Sequence, residues 1–387
     1  MKKNVSEATA NPVSPKSATK STRLVSLDAF RGITIAGMIL VNNPGTWSHV
    51  YSPLLHAEWF GWTPTDLIFP FFLFIMGVSM TFSIPKQVKI HTRKEVYLKI
   101  LRRTITLIAL GWFLTLFPFF HFSEMRIPGV LPRIGVCYFI VSIIFLNTNI
   151  RQQAWITAGI LLFYWAIMKL IPVPGHGAGD LSVGGNLAAY VDFHLLKGHM
   201  WKESLTWDPE GILSTIPAIA TTLSGALTGH WMRSGRNKMD IAGGLFVGGW
   251  IAIIVGLFWG IFFPIGKSLW TSSYVVFTSG AALQFLGFCY WLIDVKGIRK
   301  WAKPALVYGM NAIAVFVASG IFVRILIYTK ISGADGNAIS LKGWIYQNIF
   351  ASWMSPINAS LAFAVSNVLF WLAMMWILYR KRIFIKI

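Results

Sequence analysis

Apolar runs of about 20 residues recur along the chain, separated by short polar segments. At a rise of about 1.5 Å per residue, such a run crosses the roughly 30 Å hydrocarbon core of a bilayer as one helix. The pattern predicts spans over about 27–44, 64–84, 104–121, 133–148, 154–172, 211–230, 241–263, 272–293, 304–327 and 358–379. A further apolar stretch, 344–356, is too short to span and reads as an interfacial or re-entrant helix. The expected fold class is therefore all-α: a polytopic integral membrane bundle of about ten transmembrane helices, forming one domain over 23–387. Its largest loop is 173–209. Residues 1–22 are polar, rich in Lys, Ser and Thr, with no apolar core. They read as a disordered cytoplasmic tail, not a cleaved signal peptide.

Composition agrees with a membrane protein: 55% of the residues are hydrophobic, 12% are charged, and the mean hydropathy is +0.60. The net charge of +20 would suggest nucleic acid in a soluble protein. Here the bases fall in alternate segments between spans, which excludes that reading. Lys86 to Arg103, Arg233 to Lys238, Lys296 to Lys303 and Arg380 to Lys386 form the main clusters. By the positive-inside tendency both termini lie in the cytoplasm. The run 86–103 reads as a solvated loop. Acids favour the other face, among them Glu58, Asp66, Glu124, Asp192, Asp208 and Glu210. A basic inner face suits an anionic partner and an acidic outer face a cationic one. The two cysteines, Cys137 and Cys289, lie within apolar runs and build neither a disulfide framework nor a metal site.

Candidate chemistry concentrates in residues 24–83, where a short polar segment separates two apolar runs. Ionisable groups this close to bilayer depth are costly and mark function by default. His56 suits proton transfer near neutral pH. Asp66, at the start of the second span, can hold it rigidly, and Glu58 lies nearby. An interfacial histidine with a structural hydrogen bond is the plainer alternative. The amides of Asn42 and Asn43 can donate to a carbonyl that gains negative charge, or cap the first span. Asp28 and Arg31, one turn apart at the cytoplasmic start of that span, either pair with each other or meet an incoming phosphate. Arg126 and Arg133 bracket Pro128, Gly129 and Pro132. Asp208 and Glu210 precede the sixth span, where they either complement the helix dipole or receive a cationic ligand. Trp207, in the large loop, offers a flat apolar wall to a sugar, or belongs to an interfacial belt. Asn311 lies within the ninth span. There is no P-loop, GxSxG elbow, HExxH or CxxC.

Several stretches resemble a known family. LDAFRG at 27–32, ILVNNPG at 39–45, HAEW at 56–59 and GWTPTDLIFPFFLFIMG at 61–77 are similar to heparan-α-glucosaminide N-acetyltransferase and its bacterial transmembrane relatives. IPGVLPRIGVCYF at 127–139, DPEGILSTI at 208–216, KSLWTSSYV at 267–275, YGMNAI at 308–313 and RKRIFIKI at 380–387 extend the likeness over nearly all of 23–387. The resemblance implies an enzyme that takes acetyl-CoA from the cytoplasm and acetylates a glucosamine amine across the membrane. The family's active-site histidine falls on His56, its loop asparagine on Asn42, and the aspartate before L-I-F-P on Asp66. The candidate cofactor contacts are then Arg31, Asp28, Asn43 and Asn311, and the candidate acceptor contacts Asp208, Glu210, Glu58, Arg133 and Trp207. No metal is implied. The animal enzyme's luminal N-terminal domain and extra span have no counterpart in the ten spans read here. That favours free glucosamine, a chitin-derived oligosaccharide or another amino sugar over extended heparan. The resemblance also implies a homodimer and a bacterial inner-membrane location. Two other readings stand beside it: an amino-sugar permease, and an O-acyltransferase of a cell-envelope glycan with a histidine base.

Overall fold

In the computed structural model, residues 24–332 and 338–385 are described; the expected tail at 1–22 lies outside them. Thirteen α-helices, six short 3₁₀ or π-helical turns and two short hairpins make up the regular structure of the described chain, as the apolar pattern demands. In order these are α1 (Val25–Asn42), α2 (Ile68–Ile90), α3 (Arg93–Leu116), α4 (Val130–Asn147), α5 (Ile150–Leu170), α6 (Leu187–Leu196) and α7 (Ile212–Met232). They continue as α8 (Lys238–Phe262), α9 (Ser272–Tyr290), α10 (Lys303–Met310), α11 (Ala312–Tyr328), α12 (Leu341–Ile345) and α13 (Pro356–Arg380). Among the described residues eight helices are long and apolar enough to cross a membrane, and α10 with α11 makes a ninth. The third expected span is α3, whose first half is strongly basic.

Two expectations are corrected. The basic run 86–103 is not a loop but the last turn of α2 and the first half of α3. Thr92 and Glu95 explain it: they form a capping box, the Glu95 carboxylate accepting from the Thr92 N–H at 2.9 Å, a helix-start signal the lysines and arginines hid. The ninth span is not continuous. It breaks at Asn311, with a bend of 70° between its halves. The segment 173–209 carries α6, and the hairpin Pro172–Val173 with Gly177–Ala178 opens it. The stretch 344–356 begins in α12 and passes through a wider helical turn at Tyr346–Phe350.

The core is set by backbone-to-backbone approaches that only glycine permits. A Cβ on Gly77 of α2 would lie 1.9 Å from the Thr222 carbonyl of α7, and one on Gly225 of α7 would lie 2.0 Å from the Phe74 carbonyl. Gly32 of α1 meets the Ala305 carbonyl of α10 in the same way, at 1.7 Å. Small residues at such crossings are how helices pack in lipid, where burial alone gives little drive. Leu73, Met76, Leu223, Trp270 and Tyr274 fill the space beside them. Helix α8 leaves Trp250, Ile254, Phe258 and Ile261 exposed, a face for lipid.

The loop before α7 is tied down by one buried acid. Asp192 of α6 accepts from the Ile212 N–H at 2.9 Å and the Asp208 N–H at 3.2 Å. Burial pushes its carboxyl up to about 6. Between about pH 4 and 6 the folded chain therefore holds a proton that the unfolded chain has released, so this group's contribution to stability falls as pH rises through that window. The full change is about 3 kcal/mol at most. Melting temperatures in detergent at pH 4.5 and 7.5 should show a smaller fall between the two for Asp192→Asn than for the wild type; an equal fall would remove Asp192 as the cause. Gly77→Leu should lower the melting temperature by several degrees, the overpacking cost being about 1–3 kcal/mol. An unchanged value would mean that α2 and α7 can separate freely.

Candidate active site

The site begins with the turn that enters α2. Thr63-Pro64-Thr65-Asp66 is itself a capping box, with proline at the first helical position, where it needs no N–H donor. The Asp66 side chain is thereby turned back on its own loop. Its Oδ2 accepts from the N–H groups of Ala57 and Thr63, both at 3.0 Å, and from the Thr63 hydroxyl at 3.2 Å. Its Oδ1 lies 2.7 Å from Nδ1 of His56. Asp66 is fully buried, while half of the His56 side chain is exposed. A carboxylate can only accept, so Nδ1 carries the proton. That leaves Nε2 of His56 as the nitrogen free to act on a substrate.

Two further elements fix this turn. Tyr274 of α9 donates to the Asp66 carbonyl at 2.5 Å. The Gly61 N–H donates to the Ile265 carbonyl at 2.7 Å, joining the His56 loop to the segment between α8 and α9. That segment carries Lys267, which was not among the candidate site residues expected from the sequence. Its Nζ is 2.9 Å from Nδ1 and 3.4 Å from Nε2 of His56, and 3.4 Å from Oδ1 of Asp66. The signal available in sequence was position within KSLWTSSYV, the stretch that also supplies Trp270 and Tyr274.

His56, Lys267, Asn42 and Glu210 border one cavity of about 140 Å³, room for roughly ten waters. Apart from Thr65, the rest of its wall is apolar, with Ile35, Met38, Phe72, Ile134, Ile313 and Phe316 among its residues. Asn42 ends α1 and is exposed to this cavity and to a second, more polar one lined by Arg126 and Arg324. The first cavity runs inward as far as Ile35 and Ile313. Those residues lie one helical turn from Arg31 and two positions from the break at Asn311.

The remaining candidates divide between the two ends of the bundle. Asn43 is buried and donates to its own helix at the Ile39 carbonyl, 2.7 Å away, as a cap does. Glu58 is exposed beside the His56 loop and does not border the cavity. Trp207 stacks edge-on against Trp59, with ring centroids 4.9 Å apart. Asp208 is buried and takes a two-pronged contact from Arg126, at 2.6 and 2.8 Å; Glu210 takes a third bond from the same guanidinium. Arg133 is buried over the Trp270 ring and donates to the Gly211 carbonyl and the Ser214 hydroxyl. At the opposite end Arg31 pairs with Asp28 at 2.9 Å and donates to Ser79 at 2.7 Å. Asn311 donates to the Ile383 carbonyl at 3.1 Å and accepts from the Ile385 N–H at 2.8 Å, so it holds the chain's final stretch against the α10–α11 break. Among the described residues no group of three His, Cys, Asp or Glu side chains is placed to hold a metal.

The same elements are the ones shared with known proteins. The profile of the heparan-alpha-glucosaminide N-acetyltransferase catalytic family matches residues 23–243, from α1 into α8. The human heparan-alpha-glucosaminide N-acetyltransferase is 30% identical over 425 aligned positions, covering 94% of this chain and 60% of the human protein. The mouse protein of the same name is 29% identical over 423 positions, with the same coverage. The chain thus spans about three-fifths of the length of these curated relatives. With the profile covering more than half of the chain, this polytopic helical membrane protein belongs to the heparan-alpha-glucosaminide N-acetyltransferase catalytic family.

Proposed function

We propose that the chain transfers the acetyl group of acetyl-CoA to the amine of glucosamine, or of a terminal glucosamine, with the donor arriving at the Arg31 end and the acceptor at the His56 end. The observation that carries this reading is the Asp66–His56 pair at the head of an apolar cavity that points toward Arg31. Asn42 and Asp28 lie 14 positions apart on α1, about 21 Å in a helix. A long, thin thioester arm suits that distance and the apolar wall, and Arg31 can meet a phosphate at the far end. In a bacterium the acceptor side would be the periplasm and the membrane the inner one.

His56 Nε2 accepts the proton that the attacking amine loses, and Asp66 holds the ring and stabilises the imidazolium. Asn42 donates to the carbonyl oxygen as it becomes negative. The new C–N bond replaces the C–S bond, and His56 returns its proton to the departing thiolate. Direct transfer is preferred over an acetylated histidine, because the half-exposed ring of His56 would leave such an ester-like adduct open to water. Arg126 already occupies Asp208 and Glu210, so the acceptor ammonium would share Glu210 at the cavity wall. A permease is the second reading, since broken helices line many transport sites; the 70° break at Asn311 favours it.

Purified protein given radiolabelled acetyl-CoA and glucosamine should form N-acetylglucosamine. His56→Ala should lower kcat by about 10²–10⁴, and Asp66→Asn should act in the same direction. Equal turnover in the wild type and His56→Ala would take His56 out of the chemistry. No product with several amino sugars, together with sugar uptake in proteoliposomes, would establish the permease instead.

A further inference from the structure

We propose that Lys267 is a further catalytic residue of this site, resting on the transfer reaction above: its ammonium meets the acetyl carbonyl oxygen and compensates the negative charge formed there as the amine attacks. The position of Nζ carries the argument. It lies within 3.4 Å of both ring nitrogens of His56 and borders the same cavity as Asn42. Nδ1 of His56 is committed as a donor to Asp66, so it offers no lone pair to the ammonium. Nε2, at 3.4 Å, is at the long limit of a hydrogen bond. Asp66 Oδ1 is also 3.4 Å away. No shorter acceptor for Lys267 occurs among the described residues. The ammonium thus has N–H groups poorly satisfied by the protein, beside the base, in a wall that is otherwise mostly apolar.

The segment around Lys267 is rigid, as a preorganised charge requires. Tyr164 donates to the Leu269 carbonyl at 2.6 Å, Ser272 to the Leu161 carbonyl at 2.7 Å, and Ser273 to the Phe263 carbonyl at 2.5 Å. Trp270, almost wholly buried, donates to Thr221 at 3.0 Å. In the step itself the amine lone pair forms the C–N bond and the carbonyl π pair moves to oxygen, between Lys267 and Asn42. His56 takes the amine proton. The pair on oxygen then re-forms the carbonyl, the C–S bond breaks, and His56 protonates the thiolate. Because a full positive charge acts at low dielectric, it stabilises the oxyanion more than the Asn42 amide does alone. The plainer role for Lys267 is as counter-ion to the buried Asp66.

Kinetics separate the two roles. Lys267→Met should lower kcat by about 10²–10³ while the dissociation constant for acetyl-CoA and the melting temperature stay near wild type. Lys267→Gln decides the matter if the Met variant does not fold. The pH profile supplies a second readout. Burial lowers the Lys267 pKa below the usual lysine range, opposed by Asp66 and Glu210; His56 is the other titratable group facing it. Wild-type kcat should therefore fall on the alkaline side as the ammonium is lost. Lys267→Arg should retain activity there, since a guanidinium does not titrate. Wild-type kcat in Lys267→Gln and Lys267→Met, with His56→Ala inactive, would overturn this inference and leave the transferase standing. A loss confined to melting temperature would assign Lys267 as counter-ion and overturn it too. Absence of transfer by the wild type would remove both readings.

Discussion

The structure depends on how a buried carboxylate at the membrane boundary is satisfied. Removing one partner from a buried charge costs several kcal/mol, so Asp66 dictates the local chain path. It gathers two backbone N–H groups, a threonine hydroxyl and a histidine, and its own carbonyl takes the Tyr274 hydroxyl. Together these bonds reach three parts of the chain: the His56 loop, the turn into α2, and the start of α9. The Asp66 side chain therefore works as the joint that fixes the tautomer of His56 and leaves its other nitrogen beside a cavity. The fold around it follows from two separate needs. Glycine crossings let α2 and α7 approach closely, and apolar residues on α1, α4 and α11 leave a narrow space beside them.

The division of charge along the bundle gives the site its direction. Arg31, Asp28 and Asn311 lie at one end of α1, and Asn42, His56 and Lys267 at the other. The cavity at the His56 end is mostly apolar as far inward as Ile35 and Ile313, which suits an uncharged arm and disfavours free passage of ions. At the His56 end, Arg126 draws Asp208 and Glu210 together and so spends much of the acidic character that the sequence suggested for an ammonium. Only Glu210 of that pair reaches the cavity wall.

Much of this was legible in the sequence. Hydrophobic period and length located the long helices, and the isolated polar segment at 42–66 pointed to His56 with Asp66. The capping box Thr63 to Asp66 explains why two residues ten positions apart meet: the turn folds the carboxylate back over its own loop. The break at Asn311 was not legible, because YGMNAI has the hydropathy of a continuous helix. At the break Asn311 instead bonds the distant backbone of Ile383 and Ile385. Lys267 was missed for a related reason. A lone lysine between spans looks like topology until the segment between α8 and α9 brings it beside His56, and 211 residues separate the two. The helical start of α3 was obscured by its bases, although Thr92 and Glu95 announced it.

In the proposed reaction, donor and acceptor reach one histidine from opposite ends of the bundle. Proteoliposomes of determined orientation, loaded with glucosamine on one side and acetyl-CoA on the other, test it most directly. N-acetylglucosamine should form only when acetyl-CoA faces the Arg31 end and glucosamine the His56 end. Product formed only when both substrates share one side would contradict it.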